Sequence, residues 1–349
     1  MFALPVVAGF AIGAVFGVVG LLSGFCLMSS LRDWWAHDDG RKIRSYALAV
    51  AVAVVGTQFI AGAGVVEIAK SLYLQPSFSA PLIFVGGLLF GLGMVLSNGC
   101  ASRALVLLGK GNLRSLVVIA IIGVTAQMTL KGLLAPMRLS ILQWTQMTPG
   151  ANSVPSLLGT LGLHEASARI AATLIVGGAL LVFALSRREL RRSPGQLVAG
   201  LVMGLLVIAG WLATGWLGAD EFDPIPVASL TFVSPAADTL QFIMLSTGMT
   251  LNFGIALVAG VFIGSLLTAL LTGRFEFEGY SSARHTGRSM AGAALMGIGG
   301  AMAYGCSIGQ GLTGLSTLAL PSFVAVAGIF AGAAVAIRGL ALRPAFAAQ

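Results

Sequence analysis

The residues in this chain best suited to chemistry are three cysteines, Cys26, Cys100 and Cys306. Each sits in a glycine-bearing motif: Ser23-Gly24-Phe25-Cys26, Ser97-Asn98-Gly99-Cys100-Ala101-Ser102-Arg103, and Tyr304-Gly305-Cys306-Ser307-Ile308-Gly309-Gln310-Gly311. Cys100 and Cys306 head short segments, 101–109 and 307–317, that read as half-helices, the second ending just before Pro321. At the start of a half-helix, backbone N–H groups without intrahelical acceptors and the positive dipole end face whatever lies beside the sulfur. That arrangement describes an anion site. The competing reading of a free cysteine is a small buried hydrophobe with inert sulfur. It weighs more on Cys26 than on Cys100 and Cys306, which follow the same Gly at matched positions of a repeat.

The repeat is legible without gaps. Residues 86–100 align on 292–306, matching Gly86, Leu89, Gly91, Gly93, Gly99 and Cys100 to Gly292, Leu295, Gly297, Gly299, Gly305 and Cys306. An earlier pair supports it, with Val7-Ala8-Gly9, Gly13, Leu21 and Gly24 on Val198-Ala199-Gly200, Gly204, Leu212 and Gly215. In that register Cys26 falls on Leu217, so the symmetry breaks at the third cysteine. Glycines at four-residue spacing, Gly9, Gly13 and Gly17, read as a helix-packing face and not as a ligand site.

Other chemistries find little support. His37, His164 and His285 fall in predicted loops, no His/Cys cluster has metal-ligand spacing, and no Cys-x-x-Cys occurs. No metal and no cofactor is expected. Three cysteines cannot all pair within the chain, which argues against a disulfide framework. Glu67 lies near a span end, leaving no mid-span carboxylate for a proton relay. Arg103, just after Cys100, reads equally as a guide for an anion and as a membrane-interface anchor.

The elements that position these residues must lie in lipid. Apolar residues make up 57% of the chain and charged residues 9%, with a mean hydropathy of +0.95, too few polar groups to cover a water-soluble globule. Apolar runs near 6–31, 45–66, 81–97, 114–134, 168–185, 197–217, 248–272, 290–305 and 321–337 predict nine crossings. The first, with no basic segment ahead of it, reads as a retained span and not as a cleaved signal peptide. The net charge of +8 sits in short inter-span loops and does not imply nucleic acid. Basic loops 32–44, 186–196 and 273–289 and the tail fall on one side, while 218–239 carries Asp220, Glu221, Asp223 and Asp238 without Lys or Arg. The positive-inside rule then places the N-terminus outside and the C-terminus in the cytoplasm.

The expected fold is all-α: a polytopic membrane protein of about nine transmembrane helices plus short re-entrant half-helices. It forms one domain, 1–349, built of two inverted pseudo-symmetric halves, 1–134 and 190–340. An external loop, 135–167, carries interfacial segments around Trp144 and His164. Inverted repeats place a substrate site near the midplane, which favours transport over a receptor or structural role; no enzymatic activity is expected.

The three cysteine motifs quoted above resemble those of the YeeE/YedE family of bacterial inner-membrane sulfur-compound transporters, and the similarity covers nearly the whole chain. The resemblance implies uptake of thiosulfate along an hourglass-shaped path lined by Cys26, Cys100 and Cys306. Gly24, Asn98, Gly99, Ala101, Ser102, Gly305, Ser307 and Gln310 would support that path. It also implies a small cytoplasmic TusA-like sulfur-carrier protein as partner, with membrane lipid around the helices. Thiosulfate is a dianion with a soft terminal sulfur, to which thiols donate weak hydrogen bonds while backbone N–H groups offset its charge. An intact anion would then be relayed past successive thiols. Two alternatives stay open: another sulfur or selenium species or small anion as cargo, and a membrane thiol–disulfide oxidoreductase. Against the first reading, the acidic loop 218–239 repels a dianion at that mouth, although salt screens this beyond about 8–10 Å.

Overall fold

The computed structural model describes residues 4–160, 162–219, 225–280 and 282–341, which form fifteen α-helices and no strand. In chain order they are α1 (Leu4–Ser23), α2 (Leu27–His37), α3 (Arg41–Gly62), α4 (Ala80–Leu96), α5 (Ala101–Gly109), α6 (Leu113–Leu130), α7 (Ala135–Thr145), α8 (Val154–Thr160), α9 (Glu165–Leu185), α10 (Arg188–Arg191), α11 (Pro194–Gly215), α12 (Val233–Met244), α13 (Phe253–Leu271), α14 (Ala283–Met302) and α15 (Leu320–Ala341). A π-helical turn, Gly309–Gly314, stands between α14 and α15. The chain is an all-α polytopic membrane protein.

Among the described residues, eight helical stretches are long and apolar enough to cross a bilayer, against the nine expected. The difference lies at 290–305. These residues do form part of a long helix, α14, but its first turns carry Arg284, His285 and Arg288, which lower its hydropathy. The run 6–31 is not one continuous helix either, because the chain breaks at Gly24–Cys26 between α1 and α2. The segment 135–167 does carry short helices, α7 and α8, with Trp144 90% exposed and His164 preceding α9. Asp220, Glu221 and Asp223 lie outside the described residues.

Helix ends are set by local chemistry. Ser79 and Asn112 accept hydrogen bonds from the amides of Leu82 (3.2 Å) and Ser115 (3.3 Å) at the starts of α4 and α6, and Asn252 does the same for Ile255 (2.9 Å) at α13. Ile170, Leu174, Ile175 and Val182 make α9 an exposed apolar face, the surface a lipid-facing helix presents. The central helix α3 is its opposite, with most of its span buried.

The packing comes in corresponding pairs. Helix α1 packs on α13 and α3 on α11; α4 packs on α15 and α14 on α6; α2 packs on α3 and α12 on α13. Helices α4 and α14 meet each other through the aligned segments themselves. A Cβ on Gly93 would stand 2.5 Å from the Gly292 carbonyl oxygen, and one on Gly299 would stand 2.5 Å from that of Gly86. Since Gly86 aligns with Gly292 and Gly93 with Gly299, the two contacts are counterparts of each other under the repeat, and the two helices run antiparallel. No larger residue allows that approach.

Candidate functional site

All three cysteines are placed by chain breaks. Helix α4 ends with Asn98 in the left-handed region (φ 58°), and the Gly99 amide closes the turn onto the Met94 carbonyl at 2.9 Å. Cys100 follows with extended backbone and opens α5. The end of α14 repeats this: Tyr304 is left-handed (φ 56°), the Gly305 amide reaches the Gly300 carbonyl at 2.9 Å, and Cys306 follows. Asn tolerates that conformation, whereas for Tyr it costs on the order of 1 kcal/mol. At the third break Gly24 (φ 68°) turns the chain and Cys26, extended, opens α2.

Sequence reasoning put Cys26 near the inner end of the first span; it does lie within the apolar stretch Leu4–His37, where a helix break makes it the head of α2, as Cys100 is of α5. Neither cysteine's side chain forms a regular capping hydrogen bond, although the Ser29 amide in the first turn of α2 lies beside the Cys26 sulfur. The two sulfurs lie 3.8 Å apart, both buried. No sequence spacing hinted at this pairing, because 74 residues separate the two positions.

Around the pair, the Ser102 hydroxyl is 3.2 Å from the Cys100 sulfur. The Ser307 hydroxyl stands beside the same thiol yet closes no regular hydrogen bond within the protein. Its carbonyl accepts from the Tyr46 hydroxyl at 2.5 Å, and the Tyr46 ring stacks on Phe25 with centroids 5.5 Å apart. Ser307 adjoins Cys306 in the chain and Cys100 in space, so it spans the interval between the two.

Cys306 is buried and accepts from the Gly309 amide at 3.3 Å, so it satisfies one first-turn donor of its own turn. The Phe232 backbone lies beside its thiol. Phe232 precedes α12 as Cys26 precedes α2. The counterpart of Cys26 in the packing scheme is therefore Phe232 and not Leu217, which lies past α11 and is 42% exposed. A longer connection between α11 and α12 shifts the register there. Tyr73 and Thr231 approach Gly309 from the other side. Burial pushes the Tyr73 phenol well up from its ordinary value, so it faces this turn as a neutral hydroxyl.

The remaining residues named from sequence fall close by. Asn98 Oδ1 accepts from Arg32 at 3.1 Å. Gly99 and Gly305 follow the left-handed residues, and Ala101 is the buried first residue of α5. Gln310 donates to the Ala303 carbonyl at 2.6 Å, while its Oε1 makes no hydrogen bond within the protein. Arg103 reaches back to the Gly20 carbonyl at 3.4 Å. Sequence reasoning missed Tyr46, Tyr73 and Phe232. The signal available for the tyrosines was a phenol inside or beside an apolar run, which needs a partner when buried; for Phe232 there was none.

The model of a family described as Sulphur transport matches residues 22–335 of the chain. The Thiosulfate transporter TsuA of Escherichia coli (strain K12) is 26% identical over 324 residues, covering 88% of this chain and 86% of that protein. The Thiosulfate transporter TsuA of Spirochaeta thermophila is 24% identical over 329 residues, covering 91% of this chain and 93% of that protein.

Proposed function

This chain belongs to the Sulphur transport family, and on that premise we propose that it takes up thiosulfate across a bacterial inner membrane, relaying the intact anion past Cys26, Cys100 and Cys306. The observation that carries this reading is the meeting of two helix starts, those of α2 and α5, at one pair of thiols 3.8 Å apart. First-turn amides and two dipole ends offset negative charge at that point. The thiols and the Ser307 hydroxyl beside Cys100 offer hydrogen bonds to a soft sulfur or to oxygen. Each contact is weak, so the anion is released as readily as it is held.

The corresponding helix pairs support a build of two inverted copies, 1–134 and 190–340, crossing at α4 and α14, with the passage between them. Gly24, Asn98 and Gly99 shape the turns that aim the thiols; Ala101, Ser102, Gly305, Ser307 and Gln310 complete the wall. The N-terminus lies outside and the basic end, with the C-terminus, faces the cytoplasm. There a TusA-like carrier would receive the sulfur. The names of the two relatives support thiosulfate as cargo.

The test is growth on thiosulfate as sole sulfur source in a strain lacking other sulfur-oxyanion importers. Wild-type protein restores growth, Cys100→Ala does not, and Cys100→Ser restores it in part. Full growth with Cys100→Ala, at equal protein in the membrane, contradicts the relay.

A further inference from the structure

A cavity of about 870 Å³ opens beside the thiol pair, where Asn98, Gly99 and Met28 form part of its wall. Arg32 and His37 from α2, Arg103 from α5, Arg114 from α6, and His285 and Arg288 from α14 also line it, and none of its lining residues is acidic. Four guanidiniums around one protein-walled concavity focus positive potential into it.

The contacts on hand leave donors for a ligand. Arg32 donates to Asn98 and stands 3.5 Å from Asp33, whose second oxygen takes Lys42 at 2.6 Å. Arg103 donates to the Gly20 carbonyl. Arg114 donates to the Gly279 carbonyl and lies over the Tyr280 ring, 5.9 Å from its centroid. A guanidinium carries five N–H donors in a planar fork that matches an oxyanion edge, and none of these three is held in a bidentate pair with a carboxylate.

We infer that this cavity is an anion site in its own right, taking a divalent tetrahedral oxyanion such as sulfate, hydrogen phosphate or thiosulfate through guanidinium charge and hydrogen bonds. It needs no soft terminal sulfur, so it does not separate these anions as the thiols do. One consequence rests on the transport reading: oxyanions on the cytoplasmic side occupy the cavity and slow release of the cargo. Binding itself does not rest on it.

The experiment is equilibrium dialysis of radiolabelled sulfate against the full-length protein, purified and delipidated in detergent. Wild-type protein binds sulfate saturably, the affinity falls as salt screens it, and thiosulfate and hydrogen phosphate compete with similar strength. Cys26→Ser/Cys100→Ser binds as the wild type does. Arg103→Gln/Arg114→Gln loses about tenfold or more in affinity, the weight of one to two charge-assisted hydrogen bonds. Arg32→Gln/Arg114→Gln, which leaves the α5 turn intact, does the same if the first variant does not fold. Absence of saturable binding overturns the proposal. So does binding lost with the cysteines but indifferent to the arginines, or displacement of sulfate by an anionic phospholipid that co-purifies with the wild type. Retained sulfate binding in a protein that fails to transport thiosulfate would sink the transport reading and leave this site standing.

Discussion

If the passage runs between Cys26 and Cys100, joining their sulfurs must close it. The sulfurs are 3.8 Å apart and a disulfide holds them at about 2.05 Å, so each has to move by about 0.9 Å, within reach of side-chain rotation. Diamide supplies the oxidant: two thiols lose two electrons and two protons to it, and one S–S bond forms. Treated protein in membrane vesicles should yield a peptide linking the two cysteines by mass spectrometry, with thiosulfate uptake falling in proportion to the linked fraction and returning on reduction with dithiothreitol. Cys306→Ser should link as efficiently as the wild type, whereas Cys26→Ser and Cys100→Ser should not respond. Complete linkage with undiminished uptake refutes a path between these sulfurs, and failure to link refutes their adjacency.

Other expectations follow from the same geometry. Cys306→Ala removes the acceptor of the Gly309 amide, 3.3 Å away, and should cut uptake, with Cys306→Ser retaining part of it. Tyr46→Phe removes one of two donors to the buried Ser307 carbonyl, which keeps the Gly311 amide at 3.1 Å, a loss of about 0.5–1.5 kcal/mol; uptake should drop while protein remains in the membrane, as measured by immunoblot and transport. Gly93→Val drives a side chain into the α14 backbone, costing on the order of 1–3 kcal/mol or more, seen as a lower thermal midpoint in detergent. Gly178→Ala, where nothing lies within 4 Å of the added carbon, should hold or raise it.

Much of this was legible in the chain. The hydrophobic runs locate most helices because lipid demands one chemistry over a fixed length, and the Gly-Cys repeat anticipated that α4 and α14 end in the same turn. The expected crossing at 290–305 does form a helix, but Arg284, His285 and Arg288 keep α14 below the hydropathy of a span. The meeting of Cys26 and Cys100 was not legible, since it depends on the Gly24 break and on how α2 folds back, which periodicity does not report. The counterpart of Cys26 was misplaced at Leu217 because an insertion between α11 and α12 is invisible to a gapless register. His37 and His285 read as unrelated loop residues, yet the fold brings both to the wall of one basic cavity.

The central claim is that thiosulfate passes the Cys26–Cys100 pair as an intact anion. Its most direct test is uptake of thiosulfate, radiolabelled on its terminal sulfur, into liposomes holding the purified protein alone. Saturable accumulation of unchanged thiosulfate with the wild type, and the rate of empty liposomes with Cys26→Ala or Cys100→Ala, is the predicted result. Wild-type rates in both variants would contradict the account.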